Sequence, residues 1–217
     1  MQSEAIYRQR FSSEDEREKA RIWKILVQDY FQHFVSPSDT VLDIGCGYGE
    51  FLNNIVAARR IGIDLNPASK ERLASDIELH TRDVTNLDFL EANSIDLVFS
   101  SNLLEHLPNK SAVEQLLVSA HRVLRNGGRI VLLGPNARLV PGAYWDYWDH
   151  HVALTEKSLS EALTITGFDI EQCIAGFLPY STKSRLPQWS VLVRSYLKAP
   201  MLWPLFGKQF LLVARKR

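Results

Sequence analysis

Three glycines at alternate positions, Gly45, Gly47 and Gly49, follow the apolar run Val41-Leu42-Asp43-Ile44, and an acid, Asp64, closes the next apolar run. Glycine has no Cβ, so this turn can bend sharply and lay bare backbone against a ligand. The spacing discriminates between ligands. Dinucleotide sites space their glycines G-x-G-x-x-G and seat a pyrophosphate on a helix N-terminus. Here the pattern is G-x-G-x-G with Asp43 two residues ahead of it, an acid that disfavours a pyrophosphate and favours a cation. Asp43 or Asp64 alone reads as readily as a strand-end or turn residue; in this register together they indicate a nucleotide-type cofactor with a cationic group. Cys46, inside the turn, reads as a small buried residue, with nothing near it that would activate a thiolate.

A second concentration of reactive side chains lies further on. Glu105-His106 follows the apolar run Ile95–Ser100, and Tyr144-Trp145-Asp146-Tyr147-Trp148-Asp149-His150-His151 follows the run Arg129–Leu133. Histidine titrates at about pH 6.5 and is the natural proton acceptor near neutrality; Asp146 and Asp149 are available to orient an imidazole. His106 reads equally as a packing or turn-capping residue, and His150 and His151 as structural members of an aromatic segment. Adjacent histidines rarely ligate one ion together, so no metal site is expected. Tyr144, Trp145, Tyr147 and Trp148 beside carboxylates suit the C–H face and hydroxyls of a sugar ring, or equally a lid packing on its own core.

These residues need a scaffold that brings them to one side. Strand candidates are Thr40–Asp43, Arg60–Leu65, Ile77–His80, Ile95–Ser100, Arg129–Leu133, Phe168–Ile174 and Lys208–Ala214, with helices expected near Glu50–Ala57, Pro67–Ala74, Ser111–Arg125 and Thr155–Thr166. Near-continuous apolar strands alternating with helices indicate a parallel sheet covered on both faces. Such sheets bind ligands outside the carboxyl ends of their strands, which sets Asp43, Asp64, Asp83 and Ser100 on one rim. Asn126-Gly127-Gly128 reads as a helix stop. Ser13 to Phe34 reads as an amphipathic helix opened by Ser13 and Glu16 in capping-box spacing, serving as a cover for the sheet or as a lid over the cofactor.

At 217 residues, with 25 basic and 25 acidic side chains, the chain fits a single domain (1–217) and gives no sign of a general nucleic-acid binder. Within it the pattern separates an N-terminal helical cap (1–36), a cofactor-binding half (37–135) and an acceptor-side half (136–217) that contains a long insertion (178–207). Cys46 and Cys173 do not suggest a disulfide, and no run approaches the roughly 20 apolar residues of a membrane span. A cytoplasmic protein is expected.

The pattern D-x-G-x-G-x-G resembles motif I of the class I S-adenosylmethionine-dependent methyltransferases, and the segments after it follow in that family's order. The resemblance spans about Val41 to Gly134 by motif. It implies an α/β fold with a Rossmann-like seven-stranded sheet, helices on both faces and the last strand antiparallel. It further implies S-adenosylmethionine as cofactor: Gly45, Cys46 and Gly47 present backbone to its methionine part and Asp43 helps hold the ammonium end. Asp64 accepts from both ribose hydroxyls, as a carboxylate with two oxygens can. Asp83 with Val84 meets the adenine amino edge, Leu65 packs on the ring, and Ser100 and Ser101 line the methionine pocket. The Glu105-His106 pair is similar to one that many small-molecule members carry close to the reacting face.

The segment from His151 to Leu159, followed by Gly167-Phe168-Asp169, is similar to bacterial methyltransferases of cell-surface polysaccharide and natural-product pathways. The expected activity is therefore O-methylation of a small molecule, a saccharide or a lipid-linked sugar, with His150, His151 and His106 as candidate catalytic residues. A small-molecule N-methyltransferase and a cofactor-binding partner subunit without activity are the alternatives. The insertion interleaves apolar and aromatic residues with Lys183, Arg185, Arg194 and Lys198. That composition fits a membrane surface or lipid-linked acceptor, a homodimer surface, or a cap on the sheet.

Overall fold

The computed structural model describes residues 13–179 and 190–217. Seven strands among these residues form one sheet: β1 (Thr40–Ile44), β2 (Arg59–Ile63), β3 (Glu78–His80), β4 (Ile95–Ser101), β5 (Leu124–Pro135), β6 (Phe168–Leu178) and β7 (Gln209–Lys216). Their order is 3-2-1-4-5-7-6; the first five run parallel, and β7 lies antiparallel between β5 and β6. The expected α/β sheet with an antiparallel last strand is present.

Side-chain alternation explains why the strands read as unbroken apolar runs. Leu42, Val98, Ile130, Leu132 and Leu212 face one core, while Val41, Leu97, Phe99, Val131 and Leu211 face the other. With both faces buried, each second residue meets a different layer of helices and all must be apolar. The first layer contains α2 (Lys110–Val123) and α3 (Glu156–Ile165); the second contains α1 (Ser13–Asp29), α4 (Ser190–Leu197) and α5 (Trp203–Phe206). Sequence caps start two of these helices: the Asn109 side chain accepts from Ala112 N–H, and Thr155 with Ser158 forms a reciprocal capping box.

α1 ends at Asp29, and a separate 3₁₀ turn (Phe31–Phe34) replaces the expected helix to Phe34. Phe31 lies against Phe99 of β4 at 5.2 Å and Trp23 meets it edge-on at 6.2 Å, so the segment covers the sheet. It also reaches the glycine turn, where Lys19 pairs with Glu50 at 2.5 Å. Residues 50–57 form no helix: turns run through 54, and Asn53 and Asn54 turn their amides back onto the Tyr48 and Glu50 carbonyls. Pro67–Glu71 is a 3₁₀ turn rather than a longer helix. α2 stops at Val123, before Asn126-Gly127-Gly128, which lies within β5. The side chains of Ser13 to Glu16, with the expected capping box, and residues 180–189 of the insertion, including Lys183, Arg185 and Trp189, lie outside the described residues.

Candidate active site

The glycine turn is a left-handed ladder. Gly45, Gly47 and Gly49 have φ of 74°, 53° and 79°, so every second residue sits where a Cβ is strained. Space is short as well: a Cβ at Gly45 would come within 2.8 Å of the Leu103 side chain. The turn spends its own amides inward. Gly45 and Cys46 N–H both donate to the Ile63 carbonyl, and Gly47 N–H donates to Asp64 Oδ2 at 2.7 Å. Carbonyls of the turn are also engaged, that of Cys46 by Gly49 N–H and that of Gly49 by Asn53 N–H, so the turn is held rigid from within.

Asp43 is the penultimate residue of β1, next to this turn. Its carboxyl is buried, accepts no hydrogen bond from the described residues, and is pushed well above the ordinary carboxylate range by burial first and then by Glu50 and Asp64. Such a group is costly unless a positive charge joins it. Asp64, beyond β2, is half-buried; Oδ2 holds Gly47 and Oδ1 accepts Asn66 N–H at 2.8 Å. Each carboxylate oxygen keeps a second lone pair, so the residue binds the turn and still has capacity for a diol. Leu65 beside it is 64% exposed, apolar surface left open on the rim.

The remaining expected cofactor residues divide. Asp83 is exposed and held below its usual range by Thr85, whose backbone N–H and hydroxyl both donate to Oδ1. Val84 is buried in the core rather than open at the rim. Ser100 is buried and its hydroxyl donates to the Ile44 carbonyl at 2.8 Å, tying β4 to the end of β1. Ser101 is half-buried and accepts from Asn102. Cys46 is buried with its thiol raised by burial and then by Asp43, an inert thiol.

A second cluster forms where a 3₁₀ turn (Leu104–His106) meets the loop after β5. His106 Nδ1 lies 3.2 Å from Asp149 Oδ2 and 3.0 Å from the Asp149 carbonyl. Both neighbours are acceptors, so Nδ1 carries a proton. The His150 ring stands 4.9 Å from that of His106, stacked by Tyr147 at 5.0 Å and met by Tyr144 at 4.8 Å. Tyr144 is buried and its hydroxyl bonds the Val152 carbonyl, which pins the loop.

His151 stands apart: its ring is exposed, and its backbone N–H donates to the Glu105 carbonyl. Asp146, Trp145 and Trp148 also point outward, Trp148 at 88% exposure, so the aromatic segment splits between the cluster and solvent. The sequence names Glu105 only as the companion of His106 and assigns the chemistry to the imidazoles; the burial of its carboxyl beside them is what the structure adds. Glu105 is buried, and burial, helped by Asp149, pushes it up to about 8. Its position between Leu104 and a histidine, both on a turn that must pack, was the available signal. Glu105, His106 and His150 offer one donor atom each within 4.8 Å of one another, with Glu105 Oε1 to His106 Nε2 at 4.0 Å. That pair is wider than the roughly 3.4 Å expected between ligands of a tetrahedral zinc with bonds near 2.1 Å.

Residues 42–132 match the family model described as "Methyltransferase domain". Over 195 residues the chain is 28% identical to a 2-methyl-6-phytyl-1,4-hydroquinone methyltransferase from Synechocystis sp., covering 79% of this chain and 58% of that protein. The chain spans 35%, 59% and 58% of the length of the first three curated relatives it matches. Among solved structures it is similar to a chain in the complex of the Haloferax volcanii Trm112 methyltransferase activator (TM-score 0.68, 19% identity, 94% of both chains). It is also similar to a SAM dependent methyltransferase from Archaeoglobus fulgidus (TM-score 0.66, 21% identity, 89% of this chain and 92% of that one).

Proposed function

We propose that this chain, which carries a methyltransferase domain on the class I S-adenosylmethionine-dependent methyltransferase fold, moves a methyl group to a hydroxyl of a small molecule, a saccharide or lipid-linked sugar. The rim fits that cofactor by the chemistry of its donors. Asp43 is a buried carboxyl in want of a cation, Asp64 keeps lone pairs for a diol, and Leu65 offers apolar surface beside it. Bound there, S-adenosylmethionine supplies a methyl group activated by its sulfonium. What the residues of the chain must do is align the acceptor and take its proton.

The observation that carries the hydroxyl reading is the His106–Asp149 pair. Asp149 fixes the ring with Nδ1 protonated, which leaves Nε2 to accept the acceptor proton and stabilises the imidazolium that results. His150 and Tyr147 form the wall beside it, and Glu105 closes the buried end. A second reading, carbon methylation of a phenolic ring, is supported by the hydroquinone methyltransferase name of one relative; it too needs a hydroxyl proton removed.

The test is incubation with methyl-labelled S-adenosylmethionine and a panel of glycans, lipid-linked sugars, phenols and amines, with the product methyl located by NMR. An O-methyl sugar is expected. A C-methyl ring or an N-methyl product overturns the sugar reading, and cofactor binding without turnover on any class favours a partner subunit.

A further inference from the structure

The segment before β7 leaves an apolar surface open at the rim that carries the His106 cluster. α4 and α5 spend one side on the protein. Leu197 and Trp203 are buried, Trp203 Nε1 donates to the Tyr196 carbonyl, and the Tyr196 hydroxyl donates to the Phe177 carbonyl. The other side is apolar and in water: Val191 is 71% exposed, Met201 82% and Leu205 69%, with Leu192, Leu202 and Phe206 also exposed. From Ser190 to Lys208 the chain carries no acid and three basic residues; Arg194 is paired with Asp29 of α1 at 2.8 Å, which leaves Lys198 and Lys208 as the basic groups beside the apolar side chains. Exposed large apolar side chains collected on one short segment mark a contact surface.

Its place is fixed by close backbone packing. A Cβ at Gly207 would come within 2.2 Å of the Gly176 backbone, and Asn136 N–H donates to the Lys208 carbonyl at 2.9 Å. Asn136 is the root of the loop that carries Asp149 and His150. The apolar segment and the acceptor loop therefore leave the sheet together.

We infer that the α4–α5 segment docks the protein on an anionic membrane surface, so that the acceptor is met at a bilayer. This rests on the methyltransferase reading above. An apolar face flanked by Lys198 and Lys208 is the composition of a segment lying in the headgroup boundary, where each basic residue adds attraction to anionic lipid. A second copy of the chain fits less well: a two-fold contact would bring two copies of one basic segment together, with no acid in the segment to receive them.

Flotation with vesicles of phosphatidylcholine alone, or with phosphatidylglycerol added, tests this. The wild type is expected to float with the anionic vesicles, to be released by salt, and to stay behind with neutral ones. Leu205→Glu with Phe206→Glu, and separately Met201→Glu, change exposed side chains and are expected to lower the bound fraction about tenfold or more while the circular dichroism spectrum is kept. Wild type that ignores anionic vesicles, or variants that fold and float unchanged, overturn the docking surface. So does a wild-type dimer that the variants convert to monomer. S-adenosylhomocysteine binding in the same preparations separates the two readings: binding without flotation overturns the surface alone, and flotation without binding overturns the cofactor site alone.

Discussion

Asp149 holds the Nδ1 edge of His106 twice, through carboxylate Oδ2 at 3.2 Å and through its own backbone carbonyl at 3.0 Å. The carbonyl survives any side-chain change, so Asp149→Asn keeps the ring in place and removes only the charge. Turnover is expected to fall about 10- to 100-fold, and the acidic limb of kcat/KM to move to lower pH, because a neutral neighbour no longer stabilises the imidazolium. His106→Asn removes the base and is expected to cost more, on the order of a thousandfold. Rate profiles across pH check both. An unchanged acidic limb in Asp149→Asn removes this pair from the proton path.

Glu105 supplies a stability prediction whose sign is fixed by its burial. Its ordinary value is 4.5 and the folded value is about 8. The folded protein keeps a proton on Glu105 that the unfolded chain releases, so stability falls as pH rises through that window and levels off above it. The slope from this group is about 1.4 kcal/mol per pH unit. Glu105→Gln mimics the protonated form and removes the slope. Urea unfolding from about pH 5 to about pH 8 is expected to show the variant gaining on the wild type at each step; parallel curves would mean that Glu105 ionises freely when folded.

Much of this arrangement was legible because the sheet is buried on both faces. Val41, Leu42, Val131 and Leu132 must all be apolar when alternate residues meet different helix layers, and that leaves an unmistakable run. The acids at strand ends were legible for the same reason, as breaks in such runs. What could not be read was local competition. Phe51 to Ala57 has helical periodicity, but a turn with three left-handed glycines and two asparagines that bond back to its carbonyls leaves too few residues to nucleate a helix. Gly127, also left-handed at φ 72°, bends β5 where its register on β4 shifts rather than ending α2. The partner of His106 was hidden by distance along the chain: Asp149 comes from 43 residues away, past α2 and β5.

Asp64 ties the glycine turn to the end of β2, one oxygen on Gly47 N–H and the other on Asn66 N–H. Asparagine has one acceptor oxygen and must release one of these. Asp64→Asn is expected to weaken S-adenosylhomocysteine binding at least tenfold, or about 1.4 kcal/mol, and to speed hydrogen exchange at Gly47 or Asn66. Calorimetry and exchange measured together distinguish a lost ligand contact from a loosened turn. Weaker binding with unchanged exchange at both amides assigns Asp64 to the ligand alone.

Two of the left-handed glycines, Gly127 and Gly45, separate conformational strain from steric conflict. At Gly127 a Cβ meets nothing within 4 Å, whereas at Gly45 it meets the Leu103 side chain at 2.8 Å. Gly127→Ala therefore pays only for its φ, about 1–2 kcal/mol, and should bind S-adenosylhomocysteine as the wild type does, since β5 at that point lies at the far end of the strand from the rim. Gly45→Ala carries the same φ cost and in addition must push Leu103 aside, which disturbs the link between the glycine turn and the residue that opens the Leu104–His106 turn. A larger drop in stability and a loss of cofactor binding are expected together, measured by urea unfolding and calorimetry. Equal stability loss in the two variants would mean that Leu103 moves at no cost and that the turn is not held by that contact.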